Sequence, residues 1–360
     1  MPESPVAPPS SATPLFRLRV TRLSLLKALV GVAVTALVVG AVFSSAADLN
    51  GALASMGDTS PRWLPLLVVA EALCYLGLAV QLQRLTGPAS QISLWLAARV
   101  VVITSGLGSL LPGTPAPGIA LGTRELNHRG LSTRQAGLSL VWLNWFSLRA
   151  FLVTAVLAAV LALPRGNIPL GNTWLVAGAG LVVLAGLSVT NILLTRQSLV
   201  EWAAVLAARA QFWAPRIGDE AARARGREWF HDAIDALGTP RNRVIVGVVS
   251  VGSWLADAWC LRLALVAVGA NVNFNAVLLA YTGATLASSI KLIPGGIGIV
   301  EATQPLILHH FHVPLDLALA GTLVWRGFSL LLPALAGLLA LVSLRLERRR
   351  RGAESTLATL

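Results

Sequence analysis

Six stretches of the chain are apolar for about as long as a helix needs to cross a lipid bilayer. A bilayer core of about 30 Å takes about 20 residues of α-helix. Apolar runs of this kind occupy 25–46, 63–82, 136–163, 174–194, 244–268 and 317–344. Within lipid, every backbone N–H and C=O must be satisfied by the segment itself or by neighbouring protein, so each run predicts a helix. The sequence therefore predicts an all-α, polytopic integral membrane protein.

The charged residues are few, and they are grouped between the apolar runs. Hydrophobic residues make up 55% of the 360 positions and charged residues 12%, which is too little charge to cover a soluble protein. The net charge of +12 would suit a nucleic-acid-binding protein, but here lysine and arginine gather near the ends of the runs. The main groups lie at 17–27, 84, 124–134, 196–243 and 345–351. The positive-inside rule places them in the cytoplasm, which predicts a multi-pass plasma-membrane protein with both termini cytoplasmic and no nucleic-acid partner.

Two further apolar runs, 92–111 and 274–293, end abruptly in Pro-Gly. Arg84 and Arg124 are both placed in the cytoplasm, so the chain between them must enter the membrane and return on that side. The stretch that contains the second run must do the same from the outside. We predict two re-entrant hairpins of opposite sense. Full crossings in even numbers satisfy the same charges and remain an alternative.

The two Pro-Gly breaks belong to a repeat. Pro112 and Pro294 are 182 positions apart, and so are Ala136 and Ala318. Together with the opposite sense of the hairpins, this equal spacing indicates an inverted repeat. The predicted organisation is a disordered cytoplasmic lead (1–24), a first membrane half (25–195), a cytoplasmic insert of amphipathic helices (196–243), a second membrane half (244–344) and a basic cytoplasmic tail (345–360).

The Pro-Gly breaks are candidate ligand sites. Non-helical backbone at membrane depth is tolerated where protein or a watery cavity satisfies its polar groups. A helix that restarts after such a break presents unpaired N–H groups, which favour an anion such as phosphate. The candidate positions are Pro112, Gly113, Gly118, Pro294, Gly295, Gly296 and Gly298. The alternative is that these residues only shape the hairpins for close packing.

Several ionisable residues fall inside apolar runs, where each costs about 2.5–3.5 kcal/mol at a helix centre. They are Glu71, Arg99, Arg149, Asp257, Arg262 and Arg326. We predict an ion pair between Glu301, which follows the second break, and Arg326 of the next helix. Arg124, Arg149 and Asp257 are further headgroup candidates, with Asp257 and Arg262 read as loose neighbours on one helix. Structural pairing between helices is the alternative role, and Glu301 is the first suspect for carrying a proton.

Catalytic and metal-binding patterns are weak. His309, His310 and His312 cluster near an outer end without a metalloprotease or similar motif. Cys74 and Cys260 both lie in apolar stretches, which suits packing residues better than a disulfide or a zinc site. We therefore expect no catalytic residue, no metal and no cofactor.

Two segments, "AYTGATLASSIKLIPGGIGIVEA" and "VPLDLALAGTLVWRGFSLLLPALAGL", closely resemble the transmembrane, flippase-like family of lysylphosphatidylglycerol synthases. The family signature Pro-Gly-Gly-x-Gly-x-x-Glu, with an arginine in the following helix, ends here at Glu301 and Arg326. The segment "LLPGTPAPGIALGTRELNHRGLSTRQA" is similar to the first half of the family, so the resemblance covers about 25–344. The sequence departs from the commoner pattern at "NWFSLRAF", around Arg149, where an acidic motif is usual.

The resemblance implies a membrane protein that moves a lipid between leaflets, here an anionic or aminoacylated phospholipid. No aminoacyl-transferase domain follows 344, so synthase activity is not expected. Two other classes stay open: a membrane scaffold or regulator that recruits a partner through 196–243, and a lipid-modifying enzyme that uses Glu301 or Asp257. The expected partner is a membrane phospholipid, and the insert could also support a homo-oligomer or a cytoplasmic partner.

Overall fold

The computed structural model describes residues 46–57, 59–87, 92–108, 116–162, 239–288 and 296–357, with isolated positions between 186 and 231. In these residues the chain forms helices and no strand. The helices are α1 (Ala46–Gly57), α2 (Leu64–Leu85), α3 (Leu94–Val101), α4 (Ala116–Asn127), α5 (Thr133–Ala162), α6 (Pro240–Ala267), α7 (Phe274–Ser288), α8 (Ile299–His310), α9 (Leu315–Arg326) and α10 (Leu332–Leu357). A 3₁₀ turn (Pro61–Trp63) leads into α2, and π-helical turns follow α3 (Val102–Leu107) and α9 (Gly327–Leu331). The all-α prediction is confirmed.

Among the described residues, four helices are long and apolar enough to cross a membrane. They cover Pro61–Leu85, Thr133–Leu161, Pro240–Ala267 and Leu315–Glu347, and they correspond to four of the six predicted spans. The other two predicted spans, 25–46 and 174–194, lie almost wholly outside the described residues. These findings define a polytopic membrane protein.

The outward faces of these helices are apolar. On α2 the exposed side chains include Leu66, Val69 and Leu73, and on α10 they include Leu335 and Leu339. The spacing of three and four residues puts each set on one side of its helix. Large apolar faces of this kind are unfavourable in water and are satisfied by lipid tails.

Helices α2 and α6 pack against each other in opposite directions. Gly77 approaches Ser253 so closely that a Cβ there would overlap the serine hydroxyl. At one end of the pair, the side-chain amide of Asn242 donates to the Arg84 carbonyl (3.4 Å). At the other end, the Ser60 N–H donates to the Ala267 carbonyl (3.1 Å). We call the first the basic end of the bundle, because Arg84 lies there, and the second the opposite end.

The helix ends follow the 182-residue repeat. Helices α2 and α6 end 182 positions apart, α5 and α9 begin 182 positions apart, and α4 and α8 begin 183 positions apart. Helices that are equivalent in an inverted repeat must run in opposite directions, as α2 and α6 do. Helices of the first membrane half also contact helices of the second. The Asn275 side chain of α7 donates to the Leu161 carbonyl of α5 (3.2 Å), and Gly106 of the first π turn lies against the Pro333 carbonyl of α10.

Helices α3 and α4, with the residues between them, form the first helix-break-helix segment, and α7 and α8 form the second. The first segment starts and finishes at the basic end. Near its start, the Gln83 side chain donates to the Ile92 carbonyl (3.0 Å). After its last helix, the Gln135 side chain donates to the Thr86 carbonyl (2.8 Å) and the Ser139 hydroxyl to the Leu85 carbonyl (3.2 Å). The chain therefore returns to the end of α2 from which it left.

The second segment starts and finishes at the opposite end. Helix α7 begins shortly after α6 ends at Ala267. Helix α9, which follows α8, begins beside the same end of α6, because Val268 packs with Leu319 and Ala320. Helix α7 has 15 residues, or about 22 Å, and is shorter than a bilayer core. The two segments thus return to opposite ends of the bundle.

Candidate functional site

The α8 helix begins at a pair of glycines in conformations that other residues rarely adopt. Gly296 has φ 63° and Gly298 has φ 89°, and glycine adopts both freely because it has no Cβ. The Gly298 N–H donates to Oε2 of Glu301 (2.6 Å). A glutamate in the first turn that bends back to the start of its own helix satisfies an otherwise unpaired N–H. The anion at this helix terminus is therefore the carboxylate of Glu301.

Glu301 also forms the predicted ion pair. Nε of Arg326, at the end of α9, donates to Oε1 of Glu301 at 2.6 Å. Both side chains are only 13% exposed. Removing one partner of such a buried pair leaves an uncompensated charge, which costs about 3–5 kcal/mol. The pair thus fixes the start of α8 against the end of α9.

Asp257 of α6 lies beside this pair, and its two oxygens accept hydrogen bonds from two other helices. The Tyr281 hydroxyl of α7 donates to Oδ2 (2.8 Å), and the Trp325 indole N–H of α9 donates to Oδ1 (2.8 Å). The Arg326 guanidinium carries charge close enough to act on Asp257. Asp257 is ten residues, or about 15 Å, from the end of α6, a distance of about half the thickness of a bilayer core.

Asp257 and Arg262, which the sequence analysis describes as loose neighbours on one helix, have separate partners in the structure. The guanidinium of Arg262 stacks over Trp259 of the same helix, 5.2 Å from the ring centre. Residues five apart on an α-helix point in directions about 140° apart, since each residue turns the helix by about 100°. Asp257 therefore faces α7 and α9 rather than Arg262.

An aromatic chain connects this cluster with the first membrane half. The Tyr281 ring lies 6.0 Å from Trp254, which lies 4.9 Å from Phe151 of α5. The Trp254 N–H donates to the Ser147 hydroxyl (3.2 Å). Tyr281 and Trp325 were missed in the sequence, although a buried Tyr or Trp ordinarily needs a partner for its polar tip. That need is the signal that could have identified them.

Glu71 of α2 is a second buried carboxyl near the cluster. Its residue is 4% exposed, and its Oε2 has no hydrogen-bond partner in the part of the chain that the structure describes. Asp257 and the Cys260 thiol, both on α6, lie close enough to interact with it. Glu71 is the one acidic side chain on the α2 face that packs against α6.

The other predicted site residues lie elsewhere or outside the described residues. Gly118 is buried, and a Cβ there would collide with the Thr104 carbonyl, which favours a packing role for this glycine. Arg124 is exposed near the end of α4, and Arg149 stacks over Trp145 of its own helix at 4.6 Å. Pro112, Gly113, Pro294 and Gly295 lie outside the described residues.

The buried arginine of the first half has its own partners at the basic end. Arg99 of α3 donates to the Ser343 hydroxyl (2.9 Å) and to the carboxylate of Glu347, both on α10. Arg129 pairs with the other oxygen of Glu347 at 2.7 Å. These bonds tie the first helix-break-helix segment to α10, away from Glu301 and Arg326.

Histidine, cysteine and carboxylate side chains do not gather into a metal site in the described part of the chain. Nδ1 of His309 lies 3.1 Å from the Val313 carbonyl, which places this ring in the turn between α8 and α9. Cys74 and Cys260 are both free thiols.

The fold and the buried charges define a polytopic α-helical membrane protein with a polar site between its helices. The chain belongs to the family described as the lysylphosphatidylglycerol synthase transmembrane region, which it matches over residues 28–337. It is also similar to a UPF0104 membrane protein of Methanothermobacter thermautotrophicus, with 27% identity over 114 residues. That match covers 31% of this chain and 32% of the relative. Membership of this family connects the chain with membrane lipids.

Proposed function

We propose that the protein moves a phosphate-bearing lipid, an anionic or aminoacylated phospholipid, between the two leaflets of the plasma membrane. The observation that carries the proposal is the buried pair of Glu301 and Arg326 at the start of α8. A guanidinium next to a helix N-terminus is a strong phosphate-binding arrangement. In the structure, the carboxylate of Glu301 accepts from both of these donors.

The lipid phosphate takes the place of the Glu301 carboxylate in this mechanism. A phosphate oxygen can accept from Arg326 and from the Gly298 N–H, the same donors that Glu301 uses. The exchange replaces one buried ion pair with another, so the cost of leaving Arg326 unpaired is avoided. Release of Glu301 also frees the start of α8 from α9, which gives the second segment two positions, one closed without lipid and one open with it.

The two helix-break-helix segments act as re-entrant hairpins that open the site to one leaflet at a time. Their support is the return of each segment to the end of the bundle from which it began. With the basic end in the cytoplasm, the first hairpin faces the inner leaflet and the second the outer leaflet, and both chain termini are cytoplasmic. The partner in this function is a membrane phospholipid. The charges of 196–243 also offer a surface for a cytoplasmic partner or a second copy, and no enzymatic step is part of the proposal.

The test is translocation of fluorescent phospholipids in liposomes that contain the purified protein. Labelled phosphatidylglycerol, lysyl-phosphatidylglycerol and phosphatidylcholine are compared, and lipid in the outer leaflet is quenched chemically to report how much has moved. We expect Arg326→Ala to slow translocation of the phosphate-bearing lipids by roughly a hundredfold, which corresponds to about 3 kcal/mol of lost binding.

A matched control is Arg227→Ala. Arg227 is exposed and pairs with Glu201 at 3.6 Å in the polar insert, so this change removes the same side chain outside the membrane site. Arg326→Lys keeps the charge but loses the planar donor, and it should retain part of the activity. Translocation at the wild-type rate by a well-folded Glu301→Gln/Arg326→Ala double variant would refute the proposal.

A further inference from the structure

Five polar side chains on α2 and α6, which we call the α2–α6 seam, lie between the basic end and the middle of the bundle, and the proposed lipid exchange does not use them. Glu71 and Gln81 are buried on α2, and helical spacing places Ser250, Ser253 and Asp257 on one side of α6. In an antiparallel pair aligned by Gly77 and Ser253, Gln81 lies opposite the Ser250 region and Glu71 opposite Asp257. The seam therefore runs from the basic end to the middle of the bundle.

Several atoms along this seam are buried without a partner in the described residues. They are Oε2 of Glu71, Oε1 of Gln81 and Oγ of Ser250. The residues are 4%, 0% and 0% exposed. Buried polar groups in proteins are ordinarily satisfied, often by water, because an unsatisfied one costs about 1–3 kcal/mol. Three such atoms in one seam indicate positions where water or an exchangeable proton completes the hydrogen bonds.

The charge balance at the inner end of the seam points to a proton. Among the described residues, the cluster contains three carboxyl groups, Glu71, Asp257 and Glu301, and one cation that acts on them, Arg326. Arg326 already pairs with Glu301, and Asp257 accepts two neutral hydrogen bonds. A lipid phosphate at this place would add a further negative charge, and one proton on a carboxyl group offsets it.

The remaining groups near Glu71 do not supply that positive charge. On its own helix the titratable neighbours are Cys74 and Tyr75, and on α6 and α7 they are Cys260 and Tyr281. All four are neutral or acidic groups. The π turn after Arg326, which also packs against α2, adds the buried Ser329 hydroxyl. A metal ion is a poor alternative, because the described residues hold no cluster of three or more His, Cys, Asp or Glu that could bind one.

We propose that Glu71 is a proton-binding site, that protons reach it from the basic end along the α2–α6 seam, and that the bound proton travels with the phosphate-bearing lipid. The second half of this inference rests on the proposed function. The O–H bond forms on Oε2 of Glu71 when a proton arrives through the seam, and it breaks when the proton leaves with the lipid. Glu301, the residue first suspected from the sequence, is paired with Arg326 in the structure, whereas Oε2 of Glu71 has no hydrogen-bond partner among the described residues.

Infrared spectroscopy of the protein in bilayers tests the proton site without any transport. A protonated carboxylic acid has a carbonyl stretching band distinct from that of a carboxylate. We expect this band in the wild type at neutral pH, a loss of intensity equal to one group in Glu71→Gln, and a shifted band of equal intensity in Glu71→Asp. Glu228→Gln, an exposed position in the polar insert, is the matched control and should leave the band unchanged. A spectrum in Glu71→Gln identical to that of the wild type would overturn the proton site.

Coupling is tested in the same liposomes with labelled phosphatidylglycerol and a pH-sensitive dye inside. For the wild type we expect initial translocation rates that change by up to about tenfold per pH unit, the limit for a one-proton step. Glu71→Gln, which resembles permanently protonated Glu71, should translocate without pH dependence and without proton movement. A wild-type rate that does not respond to pH would overturn the coupling.

The two proposals fail in different ways. If the wild type moves no lipid at any pH, but its carboxylic acid band is absent from Glu71→Gln, the proposed function is wrong and the proton site stands. If lipid moves and the band does not depend on Glu71, the proton site is wrong and the function stands. Gln81→Leu tests the path: it should slow the response of the band to a pH jump while leaving its final intensity unchanged.

Discussion

The pair of Glu301 and Arg326 should stabilise the fold and also carry function, and the two roles can be separated by a double-mutant cycle. The Glu301 carboxylate accepts two described hydrogen bonds, one from Arg326 and one from the Gly298 N–H. Arg326→Met removes the cation and leaves only the bond from Gly298. At 13% exposure, screening by water is weak, so we expect a loss of about 3–5 kcal/mol in the free energy of unfolding. Glu301→Gln in the same chain removes the unpaired charge and should recover at least about 2 kcal/mol of that loss.

The free energies are measured by unfolding the purified protein in mixed micelles with increasing denaturing detergent, with tryptophan fluorescence as the signal. Translocation is measured on the same four proteins. The double variant should fold nearly as well as Glu301→Gln alone and yet move lipid roughly a hundredfold more slowly than the wild type, because it has lost Arg326. A coupling energy below about 0.5 kcal/mol would show that the pair adds little to stability, and it would remove the reason why a phosphate must replace Glu301.

Three further changes test other parts of the structure. Gly106→Ala should lower the free energy of unfolding by about 1–3 kcal/mol, since its Cβ would collide with backbone of α10, whereas Gly247→Ala, with open space around it, should be neutral or slightly stabilising in the same denaturation assay. Tyr281→Phe should cost about 1–2 kcal/mol through the lost hydrogen bond to Asp257, and an unchanged midpoint would mean that this bond is not formed in the membrane. Glu347→Gln should loosen the first helix-break-helix segment. Relative to the wild type, amide hydrogen exchange should then speed up more in α4 than in α8, and an equal change in both helices would contradict the role assigned to Glu347.

The spans and the ion pair were predictable because both depend on short-range rules. Helices of the required length follow from the apolar runs, and four of the predicted spans are present in the described residues. Glu301 and Arg326 were predicted as partners because a buried charge needs one of opposite sign, and the two residues lie in adjacent elements of the second half. The role of Glu301 at the start of α8 was not predicted, although its position three residues after Gly298 is the signal that could have identified it.

The partners of Asp257 were not predictable in the same way. Tyr281 and Trp325 are 24 and 68 positions away in sequence, and only the packing of three helices brings them together. The same holds for Glu71, whose relation to Asp257 depends on the direction and depth at which α2 meets α6. The sequence offered only Arg262 as a loose neighbour of Asp257 on the same helix, and in the structure Arg262 stacks over Trp259.

The repeat relates the helices of the two halves but not their charges. With an offset of 182 or 183 positions, the counterpart of Glu301 is Gly118 or Ile119, and neither can ionise. The first helix-break-helix segment instead holds its buried arginine at the basic end, where Arg99 bonds to α10. In the proposed transporter, the lipid phosphate binds once, at the single charged site at mid-depth, and each hairpin controls access to that site from its own side. On the proposed function, the second half therefore determines which headgroup is accepted, and the first half determines when the inner leaflet can reach it.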